Sequence, residues 1–402
     1  MAMKQTQTKL FDFSDVGLDF CAGSKSLFPD RFKKMLSLGY NEQIVSSVSV
    51  SGDQVTFNYG VSHGYVADRV LNVNAPELLN INGGEFVINS VTENTVTLTV
   101  EGAPSLINGN FTTRIAPLGW DLVFEKSNIH VYQIKTLDEN DLYVRLCFQN
   151  NSNLRNRISP CVGKSYDSAT GEITDLDAIQ ANTNTATPST FAWDFNYQAN
   201  SSYNNFTAAQ GAGFGKGVLI GSKYHICIFT NSAQSTYSAA GYIGAILPTT
   251  CLDYEVLKAP IIIGSNQPVS GDGSVRYLDS SAAYINNIPV KIQGAIGESG
   301  IAPRTPFSQN SFLPITIDAF NTTPAYPMPI HELTTGGFLG YGVGLFLASY
   351  GSNNAPPTTM SSIPFYTYDI DLTSKSYIHQ VDRNSPNGGV WFCVPVEEIK
   401  ID

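Results

Sequence analysis

A chain of 402 residues with a formal charge of −11 is long enough for two or three domains and too acidic to favour the backbone of nucleic acid. Its hydrophobic content of 42%, with 20 Tyr and 22 Phe, excludes a disordered polymer, although only 14% of residues are charged against about 25% in an ordinary soluble protein. No run of eighteen apolar residues occurs, so no membrane-spanning helix is expected.

Residues 1–43 form an entry segment. Residues 1–9 are polar and hold no signal-peptide core. The stretch FPDRFKKMLSLG predicts one short helix, with Pro29 and Asp30 at its start, Gly39 at its end, and Phe32, Met35 and Leu36 on one face. Arg31, Lys33 and Lys34 are the densest basic cluster and decorate that helix.

Residues 44–116 predict a small β-barrel or sandwich of five or six strands. Alternation runs on both sides of the turn at Ser51, Gly52 and Asp53, with Ile44, Val48 and Val50 on one arm and Val55, Phe57 and Tyr59 on the other. A strand follows His63 and Gly64. A hairpin then carries Phe86 and Ile88 on one arm, with Val91 near its end, and Val96, Leu98 and Val100 on the other.

Residues 117–256 read as a β-rich domain with long loops. Leu142, Val144, Leu146 and Phe148 share one strand face, and two strands flank Gly221 and Ser222. Residues 257–402 form a Pro- and Gly-rich β or extended region expected to mediate assembly. Its YPMPI segment reads as an edge strand or arm, because proline cannot donate to a central ladder. The fold class expected is therefore mostly β.

Chemistry-bearing patterns are sparse. The six cysteines (Cys21, Cys147, Cys161, Cys227, Cys251, Cys393) show no paired spacing, and Cys147, Cys227 and Cys393 read as buried small hydrophobes in a chain made in a reducing compartment. GAGFGKG at 211–217 lacks the Gly-Lys-Ser/Thr ending of a phosphate loop, and GESG at 297–300 lacks the strand-to-helix context of a nucleophile elbow. His63, His130, His225, His331 and His379 are scattered. The acidic groups Asp138, Glu139 and Asp141, and Asp175 with Asp177, fall in turns. Asp369 and Asp371 share one face of a strand; calcium or sugar-hydrolase chemistry is weighed there, but a solvated face is favoured. No catalytic, cofactor-binding or metal-binding residue is therefore assigned.

Some residues do form a recognisable set. They are the HGY turn at 63–65, the step from Leu79 to Gly83, the hairpin opened by Phe86, Val87 and Ile88, then Trp120, Tyr132, Tyr143 and Arg145, and finally Gly163, Tyr166, Thr170 and Gly171. Over roughly residues 45–230 this set resembles tailed-bacteriophage virion proteins. The resemblance implies a non-enzymatic structural subunit of the tail, baseplate or neck, formed in the bacterial cytoplasm and carried in the virion. It also implies packing in a ring with copies of itself and with other tail, baseplate or neck proteins. Trp120, Tyr132 and Arg145 are expected to hold the fold. A second expectation is a host-recognition or carbohydrate-binding adhesin, whose mark would be a surface cleft with coplanar aromatics beside Asp or Asn. YDIDLTSKSY and SSYNNF are its candidate patches. A third is a cell-wall hydrolase, which needs two carboxylates facing each other across a groove.

Overall fold

The computed structural model describes residues 6–18, 27–150, 157–178, 184–186, 191–195, 217–231, 241–264, 283–292, 325–348, 364–367, 376–381, 390–396 and 398–399. The protein is mostly β, and every strand pair among these residues is antiparallel.

Two short strands, β1 (Thr6–Gln7) and β2 (Lys9–Asp12), precede helix α1 (Phe28–Lys33), which runs on as a π turn over Lys34–Leu38. Phe28, Phe32, Met35 and Leu36 are buried, so the 3–4 spacing seen in the sequence is the packed face. Gly39 stops the helix at φ +76°; a Cβ there would run into the carbonyl oxygen of Ile115, so only glycine fits.

The next seven strands build one closed unit: β3 (Tyr40–Ile44), β4 (Ser47–Ser51), β5 (Gln54–Asn58), β6 (Val70–Val73), β7 (Glu85–Val91), β8 (Thr95–Thr99) and β9 (Thr112–Ile115). A one-turn helix, α2 (Pro76–Leu79), lies between β6 and β7. The strand order is β3-β9-β6-β7-β8-β5-β4. Only Val45 and Ser46 separate β3 from β4, which stand at opposite ends of that order. The sheet therefore closes on itself as a barrel with six strand paths. Val45 bonds to Phe111 and Asn110 on one side, and Ser46 bonds to Asn58 on the other. Val55, Phe57, Tyr59, Phe86, Ile88, Val96, Leu98 and Val100 fill the interior, as their alternation predicts. Ile44 departs from prediction: it is 66% exposed, Val45 points inward, and Val48 and Val50 are half-buried. The passage between two pairing partners shifts the side-chain phase by one residue there. Val91 is exposed as well, beyond a register shift between Ile88 and Ser90.

A five-stranded sheet follows in simple chain order: β10 (Asp121–Lys126), β11 (Ile129–Lys135), β12 (Asp141–Phe148), β13 (Arg157–Gly163) and β14 (Trp193–Asp194). The remaining strands are β15 (Gly217–Gly221), β16 (Ile226–Asn231), β17 (Gly241–Leu247), β18 (Ile261–Ile263), β19 (Ala283–Ile285), β20 (Ile288–Ile292), β21 (Ala325–Glu332), β22 (Phe338–Ala348), β23 (Phe365–Thr367), β24 (Ser376–Val381), β25 (Val390–Pro395) and β26 (Glu398–Ile399). All but β26 belong to one twelve-stranded sheet, in the order β2-β15-β16-β17-β18-β19-β20-β21-β22-β25-β24-β23, while β26 pairs with β1. This sheet joins β2 from the entry segment, β15–β17 from the 117–256 stretch and the strands beyond 257, so hydrogen bonding links three of the four segments.

Strands β15–β18 are buried on both faces, which is why they read as unbroken apolar runs. Leu219, Ile226, Ile228, Ile246 and Ile262 face a core shared with Val144, Leu146, Phe148 and Trp193 of the five-stranded sheet. Val218, Ile220, Cys227, Phe229, Ala245 and Ile263 face a second core with Met328, Ile330, Leu345, Phe392 and Val394, contributed by the far end of their own sheet. The sheet curls until its two halves cover one another.

Of the two readings of YPMPI, edge strand or arm, the structure has the edge strand over 326–329, where β22 is its one partner. β21 pairs with β22 along its length and with β20 from Ile330 to Glu332, and Met328 and Ile330 are fully buried. Pro327 and Pro329 are tolerated because they precede the part paired on both sides. Removing β21 would therefore open the second core.

Candidate functional site

The residues expected to hold the fold are all buried. Trp120 donates its indole N–H to the carbonyl of Ser222 at 2.9 Å, Tyr132 packs edge-on against Trp120, and Arg145 is buried on β12. These contacts tie the five-stranded sheet to the β15–β16 turn.

His63, His130 and His225 serve structure in the same way. His63 Nδ1 accepts the backbone N–H of Tyr65 at 3.0 Å, which leaves Nε2 to donate to the carbonyl oxygens of Thr92 and Thr95 and holds the HGY turn against the β7–β8 hairpin. His130 Nδ1 lies 2.9 Å from the Tyr132 hydroxyl. His225 Nδ1 lies 2.8 Å from Ser222 Oγ, which also accepts the N–H of Tyr224. A serine beside a histidine invites a nucleophile reading, but both are buried at the base of a tight turn, out of reach of a substrate. His331 sits half-buried on β21 against Phe338. His379 lies on β24 opposite Phe392.

Burial pushes the pKa of His130 and of His225 down to about 4 from an ordinary 6.5. Between pH 6.5 and 4 the unfolded chain binds protons that these rings refuse. Stability is therefore complete above pH 6.5 and falls as the medium acidifies, by roughly 3 kcal/mol per ring at pH 4. Urea midpoints at pH 7 and pH 4.5 check this. An unchanged midpoint would mean that the rings are not buried neutral.

The carboxylates of the sequence analysis separate into tied and accessible groups. Asp141 is engaged by Lys135. Glu139, at a left-handed φ of +62°, accepts the Tyr224 hydroxyl and the Lys223 ammonium, which together hold its pKa below the usual range. This contact fastens the β11–β12 turn to the β15–β16 turn. Asp175 accepts the backbone N–H groups of Lys164 and Asp177 and so closes its own loop. Asp369, Asp371, residues 211–216, SSYNNF and most of YDIDLTSKSY lie outside the described residues.

Asp138 borders a cleft of about 470 Å³. One wall is the β11–β12 turn, and the other is the 248–260 segment. Ile134, Leu142, Pro248 and Leu257 give the cleft an apolar floor, while Lys135, Asp138, Asp253 and Lys258 stand among its polar lining. Lys258 reaches Asp253 at 3.0 Å. Beyond the 248–260 segment lies an aromatic shelf. The N–H of Thr250 donates to Tyr341, and that of Leu252 donates to Leu339, both at 2.9 Å, so this segment runs hydrogen-bonded beside the start of β22. Phe338 and Tyr341 are exposed there with ring centroids 5.1 Å apart at 65°, and Tyr254 projects nearby, 62% exposed. The adhesin expectation asked for coplanar rings beside Asp; the aspartates and exposed rings are present, and the ring pair is edge-to-face. No sequence motif marks this surface, because its residues come from four separate stretches, Tyr224 among them.

Among the described residues, no group of His, Cys, Asp and Glu could hold a metal, and no helix is long and apolar enough to cross a membrane. Cys147, Cys161, Cys227 and Cys393 are buried and Cys251 is half-buried, all as free thiols. Burial raises the Cys393 thiol to about 12, so it is inert as a nucleophile.

What fold and surface define is thus a large antiparallel β protein with a small barrel and an open cleft. No family model and no curated protein matches the chain. Among solved structures it aligns with the phage phi92 endosialidase at 9% identity and a TM-score of 0.16, over 90% of this chain and 52% of that one. The chain spans about half the length of that protein, and a similarity this low transfers neither fold nor activity.

Proposed function

We propose that the chain is a non-enzymatic subunit of a bacteriophage particle, placed in the tail, baseplate or neck and packed against copies of itself and neighbouring proteins. The observation that carries the reading is the seam of the barrel. β4 stands at the end of the strand order, its sequence SVSVS holds no charge, and it is flanked by two exposed aliphatics, Ile44 and Leu106, the latter 71% exposed. The backbone bonds of Val45 to Asn110 and Phe111 bring the loop carrying Leu106 to this seam. An uncharged outer face with exposed aliphatics beside it is a surface that folded proteins ordinarily break up with charge or cover with a partner. Covering it by a neighbouring subunit through side-chain packing fits a low-charge chain. The resemblance of residues 45–230 to virion modules supplies the particle.

Placing charge at the seam tests this. The double variant Ser49→Lys with Leu106→Glu changes only exposed side chains and should leave stability within about 0.5 kcal/mol of the parent. Incorporation into particles, read by electron microscopy and by the protein content of purified virions, should fall severalfold. Normal incorporation would remove the seam from any role in assembly.

A second reading, host-surface recognition by an adhesin-like module, is favoured by the cleft and its aromatic shelf. The two readings describe different surfaces of one molecule.

A further inference from the structure

We infer that the cleft between the β11–β12 turn and the 248–260 segment is an oligosaccharide-binding site that prefers uncharged sugars, with Tyr254 and the Phe338–Tyr341 shelf extending it. The inference rests on the recognition reading and adds a place and a ligand class to it.

A pyranose ring presents apolar C–H faces and a rim of hydroxyls, each both donor and acceptor. A complementary site needs an apolar surface for the faces and mixed donors and acceptors for the rim. The cleft has that division. Leu142 and Leu257 lie in its floor, two ammonium donors come from Lys135 and Lys258, and two carboxylate acceptors come from Asp138 and Asp253. Its volume of about 470 Å³ falls within the range of small-ligand pockets. Beyond the wall formed by the 248–260 segment, the exposed rings of Tyr254, Phe338 and Tyr341 add stacking surface at little cost in ordering, since a tyrosine has few rotatable bonds.

Competing ligand classes fit less well. An anionic metabolite would need a surplus of positive charge, but two lysines are balanced here by two aspartates, and Lys258 is already paired with Asp253. An extended peptide would need a free backbone edge, yet the N–H groups of Thr250 and Leu252 are already given to β22. A polyhydroxylated ring needs neither. The shelf also explains aromatic residues that the fold leaves in water, since Phe338, Tyr341 and Tyr254 add little to either core.

The test uses the full chain on an array of two- to six-unit bacterial surface oligosaccharides, neutral and acidic, followed by titration calorimetry with the best neutral hit. Binding in the range of about 10 μM to 1 mM is expected. Tyr254→Ala and Asp253→Asn, both at exposed positions, should each weaken it about tenfold or more, while Leu176→Ala, elsewhere on the surface, should not. Failure to retain any neutral glycan, or equal affinity of the parent and both cleft variants, would overturn the inference. Particle incorporation of the same two variants separates this failure from that of the assembly reading. The cleft variants should incorporate normally, and loss of incorporation would show that the cleft is an assembly surface instead.

Discussion

Replacing Asp15 with alanine is expected to cost about 3–5 kcal/mol of stability, because it strands a buried arginine. Asp15 follows β2, at one end of the large sheet, and its carboxylate accepts Arg69 in a two-point fork, Nε at 2.7 Å and Nη2 at 2.8 Å. The Tyr40 hydroxyl donates to the same carboxylate at 2.8 Å. The two charged side chains are 6% and 7% exposed. Burial alone would disfavour the Arg69 charge; the hydrogen bonds and field of Asp15 outweigh it and raise the arginine's pKa. Lys9 on β2 makes a similar link, with its ammonium 2.8 Å from Glu85 of the barrel, though there burial wins and the lysine's pKa falls. The entry segment is thus clamped to the barrel by two ion pairs in low dielectric. Removing both charges in an Asp15→Leu, Arg69→Met double variant should restore much of the loss, since the cost comes from the unpaired charge rather than from the missing bond. Urea denaturation gives both numbers. A loss below about 1 kcal/mol in Asp15→Ala would mean that water reaches this pair.

Legibility in the sequence followed the range of the interaction. The barrel was readable because its hairpins are local: Val55, Phe57 and Tyr59 alternate, the turn holds Gly52 at φ +58°, and a period of two locates the inner face without knowledge of the partner strand. Leu142, Val144, Leu146 and Phe148 were legible for the same reason. Closure of the barrel was anticipated as a class but not in its path. Val45 and Ser46 carry one strand between two partners, and alternation there predicts the wrong face for Ile44. The twelve-stranded sheet was hidden for a different reason. Strands such as III at 261–263 are buried on both faces, so they show no alternation, and pairs such as β2 with β15 join residues some two hundred positions apart. The prolines of β21 suggested an edge, and they do sit where the strand has one neighbour, but Met328 between them and Ile330 just beyond are buried in the core. The cleft is the extreme case, since composition announces nothing about three turns that meet only after the sheets have packed.

The largest single effect outside the ion pairs is expected where the two sheets meet. Trp193 on β14 is 1% exposed, donates its indole N–H to the carbonyl of Ile263 at 2.9 Å, and packs so close to β17 that a Cβ at Gly244 would clash with its ring. Trp193→Ala should cost about 3–5 kcal/mol, through lost apolar burial, a cavity that rigid strands cannot collapse, and an orphaned carbonyl. Gly244→Ala should cost about 1–3 kcal/mol for the opposite reason, because its methyl has no room beneath the indole. The sign of their coupling follows from geometry. Once the indole is gone, the methyl added by Gly244→Ala enters empty space instead of a ring, so the double variant should be more stable than the sum of the single losses predicts, by about 1 kcal/mol or more. Strict additivity within about 0.5 kcal/mol would show that Trp193 and Gly244 do not touch, and the face-to-face packing of the five-stranded sheet on β15–β18 would lose its central contact.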